Sequence, residues 1–406
     1  MTQHFDRLET RSIDAREAAL AAELPRQIAA AQRLSGYGDR LTGVDAASVT
    51  TVAALSRLPV LRKSDLMQAQ RGQPPLGGLT TLPVSGFAHV FQSPGPIYEP
   101  GGASHDWWRM GRFLHACGIG KGDIVQNCFS YHLTPAGMIF ENGARAVGAA
   151  VLPAGTGQTD LQARAAHDLA VTAYAGTPDY LKVILDRAEE LNLPLQITRA
   201  AVGGGALFPS LRAEYADRGI TCLQCYATAD LGNIAYESTA MEGMIADEGV
   251  IIEIVRPGTG DPVAPGEVGE VVVTTLNPDY PLIRFATGDL SAVLPGVSPC
   301  GRTNLRIKGW MGRADQTTKI KGMFVRPEQV ADFVRQHAEV SRARVIARRQ
   351  NETDIMIVRI ESDGEDGARY LSTVMQTLKL KAEIEIVPKG SLPNDGLVIE
   401  DQRVYD

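Results

Sequence analysis

Apolar positions recur at helical spacing from Ile13 to Leu34, in a stretch rich in Ala, Leu, Arg and Glu, which predicts a surface helix packed on the main body. A strand is expected near Ala88 to Phe91, and after it short apolar runs alternate with longer amphipathic segments. DIVQNCF, AAVLPAG and VTAYAG read as strands, while PAGMIFENGARAVG, LQARAAHDLA and PDYLKVILDRAEEL read as helices. That rhythm predicts parallel strands joined by crossover helices, with ligand loops at the carboxyl ends of the strands. From Glu248 the texture changes to VIIEIVRP, GEVGEVVVTTL and YPLIRFAT, strand-like runs split by Pro-Gly turns. These predict a distorted β subdomain attached to the α/β body. Beyond Arg313 the order is helix (PEQVADFVRQH), strand (ARVIARR), strand (DIMIVRIE), helix (ARYLSTVMQTLKL) and strand (EIEIV), a small α+β lid. The expected class is α/β, with a large domain over 1–312 and a small one over 313–406.

A chain of 406 residues is too long for one ordinary core, and 44% apolar with 21% charged residues is a normal soluble composition. The formal charge of −7 excludes a basic face for nucleic acid, and no Lys/Arg block suggests a membrane patch. The N-terminus is polar and acidic, unlike a secretory signal, and no apolar run reaches the roughly 18 residues of a membrane span. Five cysteines do not make a disulfide framework, so a cytoplasmic enzyme is the expectation. Cys222-x-x-Cys225 has redox or zinc spacing, but lacks a second pair or a nearby His and reads as two buried thiols.

The richest chemistry lies between Pro281 and Glu328, where PLIRFATGDL is followed by GRADQTTKIKGMFVRPEQV. A lone Asp289 would do no more than close a turn. Followed by GRAD and a Lys/Gly/Pro loop, it resembles the domain junction of adenylate-forming enzymes, in particular the phenylacetate-CoA ligase branch with its PLIRYRTGD and CGRT segments (here Cys300 to Thr303). The resemblance implies an acid–thiol ligase that uses ATP, Mg2+ and coenzyme A on a small carboxylic acid, with a homodimer plausible. It implies that Asp289 accepts hydrogen bonds from the ribose hydroxyls, a task suited to an acceptor-only carboxylate, with Arg313 as the second ribose partner. Asp315 falls at the hinge on which the small domain turns.

CYATADLGNIAYE is similar to the family's YGLSE segment. The likeness places Tyr226 on the adenine and makes Asp230 the metal-binding carboxylate, one methylene shorter than the usual Glu. The phosphate-contacting hydroxyl of the family is Ala229 here, with Thr228 a substitute one position earlier. Glu237 matches a Glu with a structural role or a place lining the acid site. Gly203, Gly204 and Gly205 match the GAEP segment beside adenine, without its Glu; a tight turn is the alternative. Tyr131 matches a Tyr bordering the acyl group, His132 stands next to it, and Gly155 to Gln158 follow the next strand. Lys321, Gly322, Val325, Pro327 and Glu328 match the loop that meets the thiol cofactor.

Two departures bear on mechanism. The family's phosphate loop, similar to SSGTTGKP, is FQSPGPIYEPGG here: Ser93, Gly95 and Pro100 are kept, but Glu99 stands where the Lys would be. A carboxylate at that place is expected to repel pyrophosphate. The C-terminal Lys of the family falls at or near Leu397 in GSLPNDGL. Three readings follow: a ligase that recruits another cation (Lys319, Lys321, Lys389 or Arg302), a nucleotide- or acyl-CoA-binding sensor without turnover, or a CoA acyl-transfer enzyme that starts from an activated donor. The ligase stands first because hinge and ribose site are both kept.

Overall fold

The computed structural model describes residues 4–314, 316–350, 353–364, 366–393 and 397–403, except the side chain of Glu328. The hinge position Asp315 lies outside the described residues, as does the Glu328 side chain. The chain is mixed α/β and divides into two compact units: Met1–Thr287 with Ser291–Trp310, and Gly288–Leu290 with Met311–Asp406.

In the first unit the helix Ile13–Gln32 begins at Ser12, whose hydroxyl accepts from the Ala15 N–H. Its buried residues Leu24, Gln27, Ile28 and Ala31 fall on one stripe, and the Gln27 amide donates to the carbonyls of Thr275 and Asn277 at 2.8 Å each. The central sheet runs, strand by strand, Val293–Leu294, Arg306–Ile307, Met244–Ala246, Gly232–Tyr236, Thr221–Thr228, Arg199–Val202, Ala173–Gly176, Ile124–Asn127 and Ala150–Pro153. The last five of these pair in parallel. Strands such as Ala173–Gly176 are buried at every position, because covered parallel strands need apolar side chains on both faces. From Ile124–Asn127 the chain first goes outward to Ala150–Pro153 and then returns to the other side at Ala173–Gly176. This reversal opens a crevice at the strand carboxyl ends.

A second sheet orders Leu61–Arg62, Phe285–Ser291, Gly269–Thr275 and Val250–Val255. The expected strand YPLIRFAT is shorter than its apolar run: it starts only at Phe285, since Arg284 has φ +47 and breaks the extended path. The stretch read as a phosphate loop is instead a hairpin, His89–Ser93 paired with Ile97–Gly101.

The second unit has a sheet ordered Glu383–Val387, Thr353–Glu361, Arg342–Gln350 and Ile399–Asp401. The helices Pro327–Arg335 and Leu371–Leu378 contribute Val330, Phe333, Val374 and Leu378 to its core. The tail strand Ile399–Asp401, not legible in the hydropathy pattern, pairs parallel to Arg342–Gln350.

Candidate active site

The hairpin explains the fate of Glu99. Antiparallel strands turn alternate side chains to opposite faces, and Phe91, Ser93, Ile97, Glu99 and Gly101 all fall on the buried one. Phe91 meets Trp108 edge-on at 6.0 Å, and a β-carbon at Gly101 would lie 2.8 Å from both rings, so only glycine fits there. Outward-facing backbone donors are engaged as well: the Gln92 N–H donates to Leu133 O at 2.9 Å and the Tyr98 N–H to Gln70 Oε1 at 2.9 Å. These donors cannot wrap a phosphate as a glycine-rich loop does.

Glu99 is fully buried, and its Oε2 accepts from the Ser93 hydroxyl at 3.1 Å. Burial pushes its carboxyl up to about 8; the charge of Asp230 pushes the same way, while Ser93 and the Lys63 ammonium pull it down. The repulsion expected of Glu99 is therefore largely removed, because at neutral pH the group holds its proton. Ser93 points at Glu99 and its hydroxyl is occupied there. Gly95 sits exposed in the turn.

Asp230, just past the strand Thr221–Thr228, has a side chain 1% exposed, and its Oδ2 accepts from Lys63 Nζ at 3.1 Å. Lys63 opens the helix Lys63–Gly72, which is capped where the Arg62 N–H donates to Asp65 Oδ2 at 2.9 Å. Two turns along, the Gln70 amide donates to Tyr98 O at 2.7 Å and clasps the helix to the hairpin. Lys63 was not among the sequence candidates. It is the cation that the structure brings beside Glu99 and Asp230, and its ammonium stays partly open, with the side chain 43% exposed.

A pH test follows from Glu99. Its folded carboxyl titrates above its unfolded value of about 4.5, so its contribution to stability is fully present below that value and is lost as pH rises through about 8. Glu99→Gln, measured by thermal melts in chelator, is expected to match the wild type at pH 5 and to melt several degrees higher at pH 8. An equal offset at both pH values would contradict the buried proton.

Other strand-end residues take varied places. Tyr226 is 8% exposed, and Thr228 Oγ1 accepts from the Leu231 N–H at 3.2 Å, closing the turn that carries Asp230. Gly203 is buried beyond the strand Arg199–Val202, while Gly204 and Gly205 are exposed. At the sheet reversal the Tyr131 hydroxyl accepts from the Asn127 amide at 2.7 Å, and burial with the Glu141 charge pushes the phenol up. His132 is exposed beside it.

Two candidates are engaged by neighbouring side chains, and for Glu237 the structural alternative is the one the bonds support. Glu237, a candidate for the acyl pocket, is occupied: Arg212 Nη2 donates to its oxygens at 2.8 and 2.9 Å, and the Gln224 N–H and amide add bonds at 2.9 and 3.0 Å. It holds strand and helix together. Arg302, offered as a spare cation, is 4% exposed and its Nε donates to buried Glu9 at 2.5 Å, so it is no spare charge. Cys222 and Cys225 are free buried thiols, pushed up by burial.

In the second unit Asp289 and Arg313 meet: Arg313 Nη1 donates to Asp289 Oδ1 at 3.0 Å, with side chains 10% and 17% exposed. The residues are also joined as a β-bridge. A β-carbon at Gly288 (φ +75) would lie 2.6 Å from Arg313 Nη2, so the glycine of TGD lets the guanidinium close down. Lys321 (φ +47) and Gly322 form the exposed turn of the hairpin Thr318–Ile320/Met323–Val325, and Pro327 starts the next helix. Lys319 lies 5.7 Å over the Phe324 ring, Lys389 pairs with Asp363 at 2.5 Å, and Leu397 is 40% exposed. Among the described residues no group of three His, Cys, Asp or Glu side chains forms a metal cage, and no helix is long and apolar enough to cross a membrane.

No protein-family model matches the chain. It is 27% identical over 336 residues to a phenylacetate-coenzyme A ligase of Thermus thermophilus, covering 79% of this chain and 74% of that one. It is 28% identical over 384 residues to the phenylacetate-coenzyme A ligase of Escherichia coli, covering 88% and 85%. Its fold is similar to a crystal structure of 2-hydroxyisobutyryl-CoA ligase in complex with 2-HIB-AMP and CoA, with TM-score 0.83, 22% identity, and 98% and 92% of the two chains covered. The chain is thus a homologue of phenylacetate-CoA ligases.

Proposed function

We propose that this protein is an ATP-dependent acyl-CoA ligase that activates a small carboxylic acid, aromatic or aliphatic, as its acyl-adenylate and passes the acyl group to coenzyme A. The observation that carries it is the Asp289–Arg313 pair, a buried acceptor and a fixed donor on the TGD and GRAD motifs of a chain homologous to phenylacetate-CoA ligases over most of its length. Asp289 accepts from the ribose diol, Arg313 orients that carboxylate and donates to the ribose, and Tyr226 lies against the adenine. Tyr131 borders the acyl group, and Lys321, Gly322 and Pro327 meet the thiol cofactor, with the 313–406 domain turning at Asp315.

Lys63 answers the loss of the phosphate-loop lysine. Its ammonium stands at the hairpin beside Asp230, where it offsets negative charge as pyrophosphate leaves. The residues also fit Mg2+: Asp230 Oδ1 and Glu99 Oε1 are buried oxygens without a hydrogen-bond partner, and Mg2+ takes one or two carboxylates and fills its other positions with phosphate and water. Bound there, the ion would neutralise charge on the phosphates.

One observation favours a second reading, a binding protein without turnover. Leu397 is apolar where the family places the lysine that bridges acid and α-phosphate. The deciding experiment is a panel of phenylacetate, benzoate, 2-hydroxyisobutyrate and short aliphatic acids, assayed for AMP release and thioester formation with and without CoA. At least one acid is expected to give ATP-dependent AMP release. If none does while ATP or AMP still raises the melting temperature, the sensor reading replaces the ligase one. If the thioester forms only from a pre-activated acyl donor, the transfer reading does.

A further inference from the structure

Among the buried side-chain oxygens of the first unit that have no hydrogen-bond partner are Glu99 Oε1, Asp230 Oδ1 and Tyr280 Oη. Their residues are 0%, 6% and 3% exposed. They belong to one place, since the charge of Asp230 acts on Glu99 and the charges of both act on the Tyr280 phenol. The other carboxylate oxygens are satisfied, Glu99 Oε2 by Ser93 and Asp230 Oδ2 by Lys63, at 3.1 Å each. Each carboxylate thus keeps one oxygen for something else, and interiors do not leave such atoms unmatched without a reason.

The chemistry of the set is that of a hard cation. Two carboxylates supply anionic oxygens, and a phenol supplies a hydrogen-bonding group for a water on the ion. Charge argues the same way. With Glu99 protonated, Asp230 and Lys63 sum to zero; a divalent ion that displaces the Glu99 proton brings the sum to +1, which favours a leaving pyrophosphate. The substitution of Glu99 for a loop lysine then keeps the sign of the charge offered to phosphate, delivered by a metal ion in place of an ammonium.

We propose that Glu99 is a second carboxylate ligand, beside Asp230, of a divalent-cation site built by the hairpin and the loop after strand Thr221–Thr228, with Tyr280 orienting an ion-bound water. The proposal rests on the ligase reading for its use, but not for its test. Full-length protein stripped with chelator is titrated with Mn2+ alone and with Mn2+ plus inorganic pyrophosphate, and free Mn2+ is read by electron paramagnetic resonance. The wild type is expected to bind one ion, more tightly with pyrophosphate. Glu99→Gln should weaken binding at least tenfold and Asp230→Asn should abolish it, with both proteins still melting cooperatively. Glu99→Asp keeps the charge but withdraws the oxygen by one methylene, so a loss there identifies ligation and not bulk charge. Mn2+ binding equal to wild type in both Glu99 variants, or no binding by the wild type in either titration, overturns the site. AMP release that persists alongside either result removes Glu99 as a ligand and leaves the ligase reading standing.

Discussion

Asp289→Ala is expected to weaken AMP binding by at least roughly 100-fold in calorimetry, while the protein remains folded. A hydrogen bond to a charged group contributes about 1.5–3 kcal/mol, and a ribose diol makes two, so their loss corresponds to a factor on the order of 10²–10⁴. The geometry makes the effect specific. Asp289 is held by Arg313 at 3.0 Å, and Gly288 admits the guanidinium where a β-carbon would lie 2.6 Å away. The carboxylate is therefore ordered before nucleotide arrives, and little binding energy is lost to arranging it. Asp289→Asn separates charge from shape: it retains one acceptor and should fall between wild type and alanine. Affinity for AMP unchanged in both variants would remove Asp289 from the ribose site.

Lys63→Ala is expected to slow the ATP-dependent half-reaction by about 10²–10³-fold, the range found when one preorganised donor to a developing anion is removed. Thioester formation from supplied acyl-adenylate should fall less than tenfold, because no pyrophosphate leaves in that step. The argument starts from what Lys63 faces. Its ammonium is 3.1 Å from Asp230, acts on Glu99, and sits on a helix fastened to the hairpin through Gln70 and Tyr98. Removing it leaves Asp230 without its ammonium partner and takes one positive charge away from the departing phosphates. Lys63→Arg should recover part of the rate, as the charge returns with a different reach. Rapid-quench measurement of both half-reactions checks the split; equal losses in the two would point to a structural role for Lys63.

Alternation of short apolar runs with amphipathic segments was enough to read the strand and helix order, because side-chain periodicity is a local property of the chain. The pairing of Asp289 with Arg313 joins two motifs that the sequence had already singled out, 24 positions apart. The same local reading misjudged charge. Glu99 read as a carboxylate that repels pyrophosphate, yet a period-2 hairpin turns it inward and burial keeps its proton. Arg302 read as a spare cation, yet it is held by Glu9 across 293 positions, and Glu237 by Arg212 across 25.

Lys63 illustrates the limit most clearly. In LPVLRKSDL it is one lysine at a helix start, and its meaning comes from Asp230, 167 positions away. The amino-acid sequence by itself determined the α/β class, the element order and the TGD and GRAD motifs, since these depend on periodicity and on residue types near one another in the chain. Only the tertiary structure decided which charges are buried together beside the hairpin. Protonation and counter-charge depend on burial and on neighbours brought together from distant segments, and no local pattern encodes either.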